Sequence, residues 1–151
     1  MLVQVIQRQS LVPIDDTTVD QLVHAFISAE ELCYDEVSIH FIDTKTMCAM
    51  HEEFFDDPSP TDCISFPMDS PDGEELGYKI MGDVFVCPET AAEYVKEHGG
   101  NLYEEITLYT IHGLLHLIGH DDLEDEEQTA MRAAETFHLE HIRTKGLWLR
   151  G

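Results

Sequence analysis

The longest apolar helical pattern in the chain runs Leu102-Tyr103-Glu104-Glu105-Ile106-Thr107-Leu108-Tyr109-Thr110-Ile111-His112-Gly113-Leu114-Leu115-His116-Leu117-Ile118 and continues into Gly119-His120-Asp121-Asp122. Leu102, Ile106, Tyr109, Gly113 and Leu117 fall along one line, which predicts a helix lying in the middle of a domain. His112 and His116 are four apart and project from the same face. Both imidazoles can therefore reach one metal ion, as in the H-E-x-x-H helices of zinc enzymes. Gly119 offers a stop for the helix. If the helix ran on through it, His120 would line up with the two histidines; if the chain turns there, Asp122 can swing back. Both imidazole and carboxylate are accepted ligands. Gly113 stands where the H-E-x-x-H proteases carry their general base, so a peptide hydrolase of that type is disfavoured.

Outward from this helix, the pattern predicts strands at Leu2–Ile6, Glu36–Ile42, Cys63–Met68 and Val84–Cys87. Asp15–Thr18 supplies N-cap residues for a helix carrying Val19, Leu22, Val23, Phe26 and Ile27, and Asp43-Thr44 caps a second helix to about Phe55. Glu36–Ile42 alternates as a half-buried strand does. Asp56–Pro60 is loop, because two prolines break any regular pattern, and Asp69–Gly77 is polar and turn-rich. Pro88 opens a third helix and His98-Gly99-Gly100 ends it. A charged helix from Glu124 to about Thr144 closes the chain, with Glu124–Glu127 as an acidic first turn and His138 and His141 expected in solvent. Asp83 after Gly82 reads as a turn or cap. Strands early and helices late predict an α/β (α+β) fold: one domain over 1–151, with helices packed on a small mixed sheet.

The 151 residues carry eight Lys and Arg against 31 Asp and Glu, a formal charge of -23. Such a surface repels nucleic acid at long range, so contact with RNA requires a local basic patch, a metal ion or a partner protein; DNA and membrane are not expected partners. No apolar run approaches the ~20 residues that span a bilayer. The four cysteines form no C-x-x-C pair and no signal-peptide pattern is present, which predicts a cytoplasmic protein with reduced thiols.

Three segments in register resemble the YbeY family of bacterial metal-dependent endoribonucleases. His112-Gly-Leu-Leu-His116-Leu-Ile-Gly-x-Asp121 resembles its H-G-x-L-H-L-x-G-x-D-H motif, Thr61–Pro67 its T-D/N-V-L-S-F-P segment, and Gly82–Val86 its L-G-D-I-x-I strand; Met131 and Glu135 match an M-x-x-x-E pattern. The resemblance implies a zincin-like core and one divalent ion per chain, zinc or another transition metal. It implies single-strand-specific cleavage of ribosomal RNA in ribosome maturation and quality control. Carried over by position, His112 and His116 are the first two ligands and the catalytic pair. Asp122 falls where the family has its third histidine, and His120 occupies a neighbouring slot as the alternative. Thr61, Asp62 and Ser65 lie on a segment the family sets beside the metal, although turn and cap hydrogen bonds explain such residues equally well. Phe55 and Asp57 stand at the positions of a family arginine and lysine, so a phosphate-clamping charge is missing there. The alternative function is a metal-containing ribosome-assembly factor that works through ribosomal proteins or an assembly GTPase.

Overall fold

The structure, a computed structural model, describes residues 1–72 and 77–151; part of the turn-rich segment Asp69–Gly77 lies outside the described residues. Four strands, β1 (Leu2–Arg8), β2 (Glu36–Ile42), β3 (Cys63–Pro67) and β4 (Ile80–Val86), form one sheet in the order β1-β2-β4-β3. β1 and β4 run parallel to β2, and β3 runs antiparallel to β4 at the edge. Five helices accompany it: α1 (Asp16–Ala29), α2 (Thr44–Phe55), α3 (Pro88–His98), α4 (Leu102–Leu117) and α5 (Asp125–Lys145). This is the expected α/β class with a small mixed sheet packed by helices.

The caps of α1 and α2 are those the sequence predicts. Asp15 accepts from the Thr17 amide at 2.9 Å and Asp43 from the Thr46 amide at 2.8 Å, each satisfying an amide that the helix itself leaves unpaired. Glu124 and Glu127 form a capping box at the start of α5.

β2 departs from its expectation. Val37, Ser38, Ile39, Phe41 and Ile42 are all buried, so the strand is covered on both faces rather than half-buried. It sits between two parallel partners, the setting in which a strand loses its solvent face. Val37, Ile39 and Phe41 join Val84 and Val86 in the main core with α1 and α4. Ile42, Ile64 and Cys87 pack with Met47 of α2 in a second cluster. β4 begins at Ile80, four residues earlier than predicted. Gly82 and Asp83 read as a turn, yet sheet pairing holds them: Asp83 Oδ1 is 2.9 Å from His40 Nε2 of β2.

α4 is central, as predicted. Ile106, Ile111, Leu114 and Leu115 are fully buried, and each such side chain contributes about 1.5–3 kcal/mol of transfer free energy. Its buried hydroxyls are satisfied within the helix, Thr107 donating to the Tyr103 carbonyl at 2.7 Å and Thr110 to that of Ile106 at 2.9 Å. Gly113 explains how closely α4 lies on the sheet. A Cβ built there would stand 2.4 Å from Val84 Cγ1, so only glycine permits this approach. Ser65 of β3 then donates to the Gly113 carbonyl at 2.9 Å, tying the edge of the sheet to the histidine-bearing turn.

Candidate metal centre

The last two turns of α4 carry His112 and His116, half-buried at the end of the helix. Ile118 and Gly119 end it. Gly119 adopts φ +105°, and the amides of Gly119 and His120 bond back to the His116 and Leu115 carbonyls at 3.1 and 3.0 Å. Glycine is required because that φ is strained for any other residue. The reversal carries Asp122 back towards the histidines. Gln128 of α5 holds it there, its Nε2 donating to the Asp122 carbonyl at 3.0 Å.

Three ligand-type atoms meet as a result. His112 Nε2 and His116 Nε2 are 3.0 Å apart, and Asp122 Oδ2 lies 3.4 Å from the first and 3.8 Å from the second. Among the described residues His112, His116 and Asp122 are the one group of three so arranged, and His120 is outside it. Of the two ways the chain could leave α4, the structure takes the turn at Gly119.

Glu135 of α5 completes the arrangement from behind, its Oε2 2.6 Å from His112 Nδ1. A carboxylate only accepts, so Nδ1 carries the hydrogen, and in the neutral ring Nε2 is left as the ligand atom on the side of His116 and Asp122. Burial works against the charged form of His112, but the hydrogen bond and charge of Glu135, with Asp62 and Asp122, outweigh it and raise the pKa. His116 is shifted the other way: burial and the neighbouring His112 outweigh Asp122 and favour the neutral ring. In the sequence Glu135 stands out only within a family pattern; its partner is 23 residues away, and no local spacing announces the contact.

The donor set can be tested against the divalent ion that the resemblance implies. At Zn–N distances of 2.0–2.1 Å, tetrahedral geometry puts ligand atoms about 3.3 Å apart. The three separations bracket that value, and the set, two imidazole nitrogens and one carboxylate oxygen, is one that zinc accepts. The residues fit such an ion.

In front of the group opens a cleft of about 410 Å³, walled in part by His51, Phe55, Thr61, Asp62, Ser65 and Leu123. Thr61, Asp62 and Ser65 thus lie beside the histidines, and they also make the ordinary bonds that their types suggest. Asp62 caps the Cys63 amide at 2.8 Å, while Ser65 is spent on Gly113. Cys63 shares this wall; desolvation and then the charges of Asp62, Asp122 and Glu135 push its thiol well up, which favours the protonated form. Phe55 is 55% exposed, and no Lys or Arg is among the described residues lining this cleft. Asp83 is not at the site: it points with His40 to the sheet face opposite Val84 and α4.

His138 corrects an expectation. It is 1% exposed rather than solvated. Its ring stacks on Phe26 with centroids 4.4 Å apart, and its Nε2 is 2.7 Å from Glu30 Oε1. Met131, His138 and Ile142 are the buried positions of α5, a stripe too narrow to read in so charged a helix.

Comparison with known proteins gives the chain a family. The family model described as endoribonuclease YbeY matches residues 4–143. An endoribonuclease YbeY from Protochlamydia amoebophila is 48% identical over 87% of this chain and 86% of its own length. Another from Chlamydia caviae is 38% identical over 91% and 89%. A solution structure of a Thermotoga maritima protein superposes with a TM-score of 0.64 at 21% identity, covering 95% of this chain and 91% of that one, a likeness of fold. The chain belongs to the YbeY family of endoribonucleases.

Proposed function

We propose that this chain is a metal-dependent endoribonuclease that cleaves single-stranded ribosomal RNA in the cytoplasm during ribosome maturation and quality control, as a single hydrolase domain over 1–151. The observation that carries this reading is the convergence of His112 Nε2, His116 Nε2 and Asp122 Oδ2 beside an open cleft, with Glu135 fixing the His112 tautomer.

His112, His116 and Asp122 hold one divalent ion, zinc or another transition metal. When bound, the ion supplies Lewis acidity towards a phosphodiester and acidifies water. Glu135 keeps His112 in the ligating tautomer and increases its basicity. Three protein ligands leave room for the reaction, as catalytic sites require. Asp62 and Asp121 face the same cleft and add negative charge that favours a cation there. Phe55 and Leu123 give the cleft an apolar rim on which an unpaired base can lie, which suits a single strand better than a duplex.

The test is cleavage of a single-stranded RNA by metal-loaded protein beside His112→Ala. Losing a ligand lowers the rate more than about 100-fold, the upper range for loss of an outer-shell partner. Equal cleavage by both proteins contradicts the proposal.

One observation favours a second reading, an assembly factor with a structural metal and protein partners such as ribosomal proteins or a GTPase: the cleft lacks Lys and Arg among its described residues while the chain carries a charge of -23. A structural metal contributes folding energy, so His116→Ala that loses its metal at an unchanged Tm counts against that reading.

A further inference from the structure

Helix α5 turns one stripe towards the histidines. Gln128, Met131, Arg132 and Glu135 recur at i, i+3, i+4 and i+7, and with His112 and Asp122 they line a cavity of about 180 Å³. The stripe is anchored on both sides of Arg132: Gln128 donates to the Asp122 carbonyl at 3.0 Å, and Glu135 accepts from His112 at 2.6 Å. Met131, buried, seats the same turn in the core. The backbone that carries Arg132 is therefore fixed relative to the ligand group.

Arg132 itself is exposed and uncommitted. None of the ion pairs among the described residues engages it, although the chain holds 31 Asp and Glu against eight Lys and Arg. It is also the one Lys or Arg among the described residues lining either cavity that His112 borders. A guanidinium presents a planar fork matched to two oxygens of a phosphodiester and stays charged at every working pH.

We propose that Arg132 is the phosphate-binding residue of this site, holding a non-bridging oxygen of the RNA backbone beside His112, His116 and Asp122. The inference rests on the nuclease reading. It assigns the phosphate contact to α5, across the ligand group from the wall where Phe55 stands at the position of the family arginine.

The experiment compares wild type, Arg132→Gln, Arg132→Lys and, as a control for net charge, Arg143→Gln; Arg143 lies on the same helix but is paired with Glu140. Each is measured with a fluorescein-labelled single-stranded RNA in two ways: binding by metal-free protein across a salt series, and KM for cleavage by zinc-loaded protein. Metal content and Tm are recorded for all four. Arg132→Gln is expected to bind about 10-fold more weakly, to raise KM by a similar factor, and to flatten the slope of log K against log salt by about 0.7, the loss of one single-strand phosphate contact. Arg132→Lys keeps the slope and recovers part of the affinity, while Arg143→Gln matches wild type. Metal content and Tm stay unchanged throughout. If wild type cleaves and Arg132→Gln equals it in affinity and slope, or Arg143→Gln loses as much, the assignment of Arg132 is overturned and the nuclease reading stands. If wild type neither binds nor cleaves the RNA, both fall.

Discussion

Two histidine–glutamate pairs lie one turn apart along α5, and almost the same bond joins each. His112 Nδ1 is 2.6 Å from Glu135 and His138 Nε2 is 2.7 Å from Glu30. Their surroundings differ. The His112 ring turns its second nitrogen to another imidazole and a carboxylate at the head of a cleft, and Glu135 leads the charges that raise its pKa against burial. His138 lies flat on Phe26 inside the core, where burial overrides Glu30 and lowers its pKa. A carboxylate partner therefore does not make a histidine a ligand. What the other nitrogen faces separates the two pairs: ligand-type atoms and a cleft for His112, the core for His138.

The comparison breaks most easily at His138. His138→Ala opens a cavity beside Phe26 and is expected to cost about 2–4 kcal/mol of stability, read by denaturant unfolding, while metal stoichiometry stays at one. A loss of metal with little loss of stability would reverse the two roles.

Glu135→Gln gives the complementary result. It keeps a hydrogen-bond acceptor but removes the charge behind His112. Metal affinity is expected to fall about 10–100-fold, by competition with a chelating dye, while Tm moves little. An unchanged affinity would leave Glu135 a packing residue like Glu30.

The smallest effect is in pH. The pKa of His138 is lower in the folded chain than the ordinary value near 6.5, so below that pH the unfolded chain takes up a proton that the folded chain resists. The contribution is whole above about pH 6.5 and is lost as pH falls through the folded pKa. His138→Phe, compared with wild type in Tm from pH 5 to 8, should show a flatter acid limb; identical limbs would mean that His138 does not titrate against folding.

The same contrast explains what could be read from the sequence. Asp15, Asp43 and Pro88 mark helix starts by local chemistry, and the structure begins α1, α2 and α3 there. The long apolar pattern of α4 announces a central helix, and Gly119 with Asp122 is legible as one of two ways to leave it. Long-range partners were not. Glu30 is 108 residues from His138, and α5 hides its buried stripe among charges. Asp83 after Gly82 reads as a turn or cap because the pairing that extends the strand back to Ile80 comes from β2, some 40 positions earlier. Arg132 reads as one more surface cation until α5 is docked against α4.

On the proposed reading, Asp122, brought back by the turn at Gly119, closes a metal site with His112 and His116. The most direct test is a zinc titration of wild type, Asp122→Ala and His120→Ala by competition with a chromophoric chelator. One equivalent per chain is expected in wild type, with an affinity lowered more than about 10-fold in Asp122→Ala as for other ligand-sphere losses, and no change in His120→Ala. Wild type that binds no zinc, or His120→Ala that loses it while Asp122→Ala keeps it, would rule out Asp122 as the third ligand.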